Sequence, residues 1–230
     1  YVALDHSIVI PLRPDLREAD AAAQIVNPLT AMAMFDLVRE AKAEAFVASA
    51  AASQLGKLLA GLARDEGIPM IALVRRESQR ALLTEKGAAE ALRTTDPGFA
   101  DAFAAAAKRL KPRVLLDAVG DQVSADVFFA MPNRATWVVY GQLDAEGPRL
   151  PQIGTLIFTG KTIRGFWLTE WMRAASPERR VGVVQEVQAR FADGRWRTDV
   201  TATLGLDGAL AGLAEALETP DGKVMIRPGA

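Results

Sequence analysis

The stretch from Ala45 to Arg76 constrains the fold more than any other part of the chain. Ala45-Phe46-Val47-Ala48-Ser49-Ala50 is a short apolar run of the kind that forms a buried strand. Ala51-Ala52-Ser53-Gln54-Leu55-Gly56 is a tight turn of small residues. Lys57 to Arg64 continues as a helix, with Leu58, Leu59 and Leu62 on one side. Met70-Ile71-Ala72-Leu73-Val74 is a second apolar strand, and Arg75-Arg76 follow at its end. That order describes a βαβ unit, whose helix N-terminus suits a dinucleotide pyrophosphate.

The same alternation of apolar strands and helical stretches continues after residue 25, which implies a parallel sheet with helices on both faces. The spacing predicts helices over Pro28–Ala41, Ser78–Lys86, Pro97–Leu110 and Val123–Ala130. Ser78 is the expected cap and Gly87 the expected stop of the second of these. Further strands are expected at Ala89–Thr94, Val114–Gly120, Thr136–Gly141 and Thr162–Leu168. A helix is expected over Pro177–Phe191, closing on Asp193-Gly194, and near Ala192 the pattern changes, with a strand at Thr198–Leu204, a helix at Asp207–Leu217 and a last strand at Lys223–Ile226. This tail reads as a return to a second lobe, joined by the strand-like Tyr1–Leu4 and Ser7–Pro11. The expected division is a remnant at residues 1–26, a dinucleotide-binding Rossmann domain at 27–195 and a return segment at 196–230. The first residue is Tyr1 and no signal-peptide pattern follows it, so the expectation is a piece of a longer protein; an ordinary first hairpin is the alternative.

Composition narrows the function. A net charge of −1 gives no electrostatic case for nucleic acid. No run of eighteen apolar residues suggests a membrane span. The chain has no cysteine, and a single histidine, His6, does not build a metal site; no metal is expected. A cytoplasmic location fits this composition.

The glycine positions of a dinucleotide fingerprint fall on Ala51, Ser53 and Gly56, so only the last glycine is present. Alanine still permits a compact turn, and the Ser53 hydroxyl is suited to a phosphate oxygen. An alanine-rich turn without ligand is the alternative. Arg75-Arg76 stand where an acid would bind both ribose hydroxyls of NAD. Two cations there favour a ribose 2′-phosphate through charge-assisted bonds, and hence NADP. Solvated surface arginines are the alternative. Val119-Gly120 and Tyr140-Gly141 end apolar strands with a glycine, where backbone approaches a ligand outside the strand ends. Asp117 reads as a buried turn former rather than a base, and Trp137, Trp171 and Trp196 as core or interface.

These residues resemble the medium-chain dehydrogenase/reductase superfamily, on its zinc-free quinone-reductase and enoyl-reductase branch. Asn27-Pro28-Leu29-Thr30-Ala31, the Ala51–Gly56 turn, Asp117-Ala118-Val119-Gly120 and Tyr140-Gly141 carry the likeness. Arg164-Gly165-Phe166-Trp167-Leu168, followed by Trp171, resembles NADPH-dependent 2-enoyl thioester reductases of mitochondrial type. The resemblance implies that Asn27 and Thr30 lie near the nicotinamide and that Ser53, Gln54, Leu55 and Gly56 hold the pyrophosphate. It implies that Arg75 and Arg76 hold the 2′-phosphate, and that Tyr140, Gly141, Phe166, Trp167, Leu168 and Lys223 contact the cofactor. Gln54 replaces a smaller residue, and an expected crowding of the diphosphate follows. The resemblance implies that most of the family's GroES-like substrate domain, with its suspected proton-donating tyrosine, lies outside these residues, and it implies no catalytic residue within them. The implied activity is hydride transfer from NADPH to an activated C=C bond of a 2-enoyl thioester. The alternatives are a quinone or α,β-unsaturated ketone reductase, or a nucleotide-binding module without chemistry. The implied partners are a small-molecule substrate and a second copy paired through the edge strand near Ile163–Trp167.

Overall fold

A computed structural model describes residues 3–4, 9–218 and 221–229. Tyr1, Val2 and His6 lie outside these residues. Six parallel strands form one sheet: β1 (Ala45–Ala48), β2 (Met70–Val74), β3 (Glu90–Arg93), β4 (Pro112–Asp117), β5 (Thr136–Val139) and β6 (Thr162–Gly165). Their order is β3-β2-β1-β4-β5-β6, so chain direction across the sheet reverses between β1 and β4. This is the doubly wound α/β arrangement, and its switch point is where such sheets bind ligands. In register, Phe46 lies beside Met70 on one side and Val114 on the other.

Among the described residues ten α-helices accompany the strands: α1 (Glu18–Ala22), α2 (Val26–Glu40), α3 (Gln54–Glu66), α4 (Glu77–Lys86), α5 (Phe99–Leu110), α6 (Gln122–Ala130), α7 (Leu156–Thr159), α8 (Leu168–Ala174), α9 (Pro177–Ala192) and α10 (Ala209–Leu217). Strand residues alternate between the two faces of the sheet. Phe46, Ala48, Met70, Ala72 and Leu116 pack with Phe35 of α2, Leu59 of α3 and Val187 of α9. Val47, Ile71, Leu73, Leu115 and Trp137 pack with Phe103 of α5 and Phe128 of α6. Because both faces are covered, β1 and β2 are buried at every position, which explains their unbroken apolar sequences. Two further strands, β7 (Val200–Gly205) and β8 (Lys223–Arg227), pair with each other in a separate parallel sheet. Among the described residues no helix is long and apolar enough to cross a membrane.

Several expected boundaries differ. Ala3-Leu4 and Val9–Pro11 form no strand. The Pro11 carbonyl instead accepts from Gln188 Nε2, and the Arg13 amide donates to Gln188 Oε1, which holds the segment against α9. Helix α4 is capped at Arg76 rather than Ser78, because Gln79 Oε1 accepts from the amides of both Arg75 and Arg76. Gly87 does end that helix, in the left-handed conformation, φ 113°. Helix α5 starts at Phe99 rather than Pro97, and β6 ends at Gly165 because Leu168 already begins α8.

Candidate functional site

A crevice of about 890 Å³ opens outside the carboxyl ends of β1, β2 and β4. Three turns shape it. After β1, Ala50 takes a left-handed conformation, φ 45°, and the chain folds back so that the Ser53 amide donates to the Ala50 carbonyl at 2.9 Å. Ser53 then caps α3, with its Oγ accepting from the Gly56 amide at 3.2 Å. That bond uses an acceptor site of the hydroxyl, so its proton is still available to a ligand. The amides of Gln54 and Leu55 begin the helix and have no intrahelical partner. Gly56 is required for packing: a Cβ there would lie 2.2 Å from the Ala51 carbonyl oxygen.

After β4 the turn is organised by Asp117, fully buried at 0% exposure. Its Oδ1 accepts from Ser49 Oγ at 2.5 Å, Ser124 Oγ at 2.9 Å and the Val119 amide at 3.0 Å. Its Oδ2 accepts from Trp137 Nε1 at 2.8 Å and the Gly120 amide at 3.1 Å. Five donors compensate a buried carboxylate that forms no ion pair with a described residue. Asp117 thereby joins the ends of β1 and β4 to β5 and α6, and it is the turn former that the sequence suggested. Gly120 has φ 70°, and a Cβ on Gly141 would come within 3.0 Å of the Ala118 carbonyl oxygen. The strand-end glycine at 141 thus serves contact between two turns. Tyr140 is half-buried, and burial, aided by the Asp117 charge, pushes its phenol up, so it stays neutral.

After β2 come Arg75 and Arg76, both exposed. Arg75 lines the crevice, with no side-chain bond to a described residue. Arg76 Nη2 is held by Asp221 in a forked pair, 2.8 Å to Oδ1 and 2.7 Å to Oδ2. Gln79 Nε2 donates to the same carboxylate at 2.8 Å. Lys223, the first residue of β8, also lines this end, with Asp221 and Gly222.

The structure therefore brings together Ser53, Gln54, Arg75, Arg76 and Lys223 of the expected cofactor residues. The Leu55 side chain and Gly56 are buried behind the turn, in the core. Asn27 and Thr30, in the first turns of α2, do not line the crevice; nor do Tyr140, Gly141, Phe166, Trp167 and Leu168. Trp167 is 60% exposed, with the Arg173 guanidinium 5.7 Å from its ring centroid. Gln54, whose side chain was expected to crowd a diphosphate, has both ends of its amide group bonded within the protein. It donates to the Arg197 carbonyl at 2.8 Å and accepts from the Asp199 amide at 3.1 Å.

Sequence reasoning missed Asp221, Gln79, Lys57 and Asp199. Lys57 is a buried cation on α3, bonded to Asp199 Oδ2 at 2.5 Å and to the Asp221 carbonyl. A lysine beside Leu58 and Leu59 was the one available signal; its partners lie 142 and 164 residues away, beyond any local pattern. Among the described residues, no group of three or more His, Cys, Asp or Glu side chains is placed to hold a metal ion.

Residues 55–185, more than half of the chain, match the family model described as zinc-binding dehydrogenase. The bovine mitochondrial enoyl-[acyl-carrier-protein] reductase is 26% identical over 175 residues, covering 74% of this chain and 47% of that protein. The Arabidopsis thaliana enzyme of the same name is 27% identical over 177 residues, covering 75% of this chain and 47% of that protein. A crystal structure of a candidate NADPH:quinone reductase from Mesorhizobium loti superposes with a TM-score of 0.90 at 48% identity, covering 95% of this chain and 63% of that one. The complex of Etr1p with NADP and crotonyl-CoA superposes with a TM-score of 0.77 at 22% identity, covering 92% and 62%, and supports the fold. The chain spans about half the length of the curated relatives it matches.

Proposed function

Because this chain belongs to the zinc-binding dehydrogenase family, within the medium-chain dehydrogenase/reductase superfamily, we propose that it is the NADP(H)-binding part of an oxidoreductase that reduces an activated C=C bond. The observation that carries this reading is the crevice at the β1/β4 switch point, with a capped helix N-terminus at one end and Arg75 at the other. The residues fit the cofactor. The Ser53 hydroxyl and the Gln54 and Leu55 amides face a pyrophosphate with donors and the positive end of the α3 dipole. Arg75 meets the 2′-phosphate, and Lys223 adds a second cation at that end.

When bound, the nicotinamide supplies a hydride. This chain's residues bind and orient the cofactor, and the network at Asp117 keeps the turns after β1 and β4 in fixed register so that its position is preorganised. Asn27, Thr30, Tyr140, Gly141, Phe166, Trp167 and Leu168 are assigned to the nicotinamide half on the family resemblance. A zinc site does not fit the residues of this chain: it has no cysteine and one histidine, and among the described residues no group of three or more His, Cys, Asp or Glu side chains is placed to hold a metal ion.

The proposed substrate is a 2-enoyl thioester, supported by the mitochondrial enoyl reductases among the relatives. A quinone is the second reading, favoured by the higher identity to the Mesorhizobium loti protein. β6 is an edge strand of the sheet, with Thr162, Arg164 and Gly165 exposed; a homodimer through this edge and a cytoplasmic location complete the proposal. NADPH consumption by the intact protein with crotonyl thioester and with quinones is the test. Turnover of quinones alone rejects the thioester, and cofactor binding without turnover of either favours a binding module.

A further inference from the structure

The carboxylate of Asp221 is placed by constraints on every side. Its backbone is left-handed, φ 71°, a conformation that few residues other than glycine adopt. Its carbonyl accepts from the buried Lys57 ammonium, which also pairs with Asp199. The next residue, Gly222, admits no side chain: a Cβ would lie 2.4 Å from Thr201 Cγ2 and 3.1 Å from the Asp199 carbonyl oxygen. With its main chain held this way, the Asp221 side chain projects onto α4, where it takes the forked bond from Arg76 and the bond from Gln79 Nε2. Gln79 in turn accepts from the amides of Arg75 and Arg76, so one side chain connects the carboxylate to the backbone that carries both arginines.

Resting on the NADP(H) reading above, we propose that Asp221 is a specificity-determining residue of the adenosine end of the crevice. It occupies Arg76, leaves Arg75 as the guanidinium that meets the 2′-phosphate, and lowers the preference for NADPH over NADH. The reason is electrostatic. A phosphate monoester carries about −1.5 to −2 charges near neutrality and would stand beside the Asp221 carboxylate, which also lines the crevice. Arg76 serves the phosphate only by giving up a forked partner already in place.

The test is calorimetric titration of the full chain with adenosine 2′,5′-bisphosphate and with 5′-AMP. Asp221→Asn is expected to tighten the bisphosphate about five- to tenfold, with the AMP affinity changed less than about twofold. Arg76→Gln in the otherwise unaltered chain should weaken the bisphosphate less than about threefold, whereas Arg75→Gln weakens it more than about tenfold. Equal tightening of both ligands, weaker bisphosphate binding by Asp221→Asn, or equal losses for the two arginine variants would overturn the proposal. The Arg76→Gln comparison decides the matter if Asp221→Asn does not fold. If the unaltered chain binds neither ligand, the cofactor reading falls and this inference with it; binding with an unchanged ligand ratio in Asp221→Asn removes the inference alone.

Discussion

The Ser49 hydroxyl donates to Asp117 Oδ1 at 2.5 Å and accepts from the Ala118 amide at 2.9 Å, so the ends of β1 and β4 are joined through one oxygen. This bond spans the switch point of the sheet, where the crevice opens. Asp117→Asn keeps the shape but turns one acceptor into a donor facing donors. We expect a loss of about 2–4 kcal/mol, read as a lower midpoint in urea unfolding with unchanged slope. A variant as stable as the parent would show that the five bonds are not required.

Gly56 and the Ala51 carbonyl stand too close for a side chain, at 2.2 Å from a hypothetical Cβ. Gly56→Ala must push the turn away from α3. The expected cost is about 1–3 kcal/mol in thermal unfolding, together with weaker NADPH binding, because the Ser53 hydroxyl moves with the turn. Unchanged melting would mean that the helix slides without cost.

Arg75→Ala tests the adenosine end. Loss of charge-assisted bonds to a phosphate corresponds to about 1.5–3 kcal/mol, or roughly ten- to a hundredfold in affinity. Fluorescence titration should show that loss for NADPH and little change for NADH. Equal losses for both cofactors would remove the specificity claim.

Asp20 gives the pH dependence. Burial raises its carboxyl pKa, but the Arg17 guanidinium and the Thr198 amide, at 2.7 Å, outweigh burial and hold it below the usual carboxylate range. A pKa lowered by folding contributes stability that is full above the unfolded value, about 3.9, and is lost as pH falls through the folded value. Asp20→Asn should therefore lower stability near pH 7 and flatten its decline in acid, measured by urea unfolding across pH. A parallel decline in both proteins would assign the acid sensitivity elsewhere.

Strand and helix positions near the site were legible because both faces of the sheet are covered. Full burial leaves β1 and β2 as continuous apolar runs, and helix ends carry local chemistry such as Gly87. The end of α4 nearest the site was misread because its cap comes from Gln79 reaching backward, a contact weaker in pattern than the serine beside it. The Ala51–Gly56 turn and Arg75 were readable as candidate residues, because a tight turn and a charge after a strand are local facts.

By itself, then, the sequence determined the βαβ order, the parallel sheet and the small-residue turn at Ala51–Gly56, since hydrophobic period and turn chemistry act over a few residues. Only the tertiary structure decided the fate of the charges. Arg76 meets Asp221 across 145 residues, Lys57 meets Asp199 across 142, and Gln54 turns toward Arg197 across 143. Such pairings depend on where β7 and β8 dock, and no local spacing encodes a contact between side chains that the fold brings together from opposite ends of the chain.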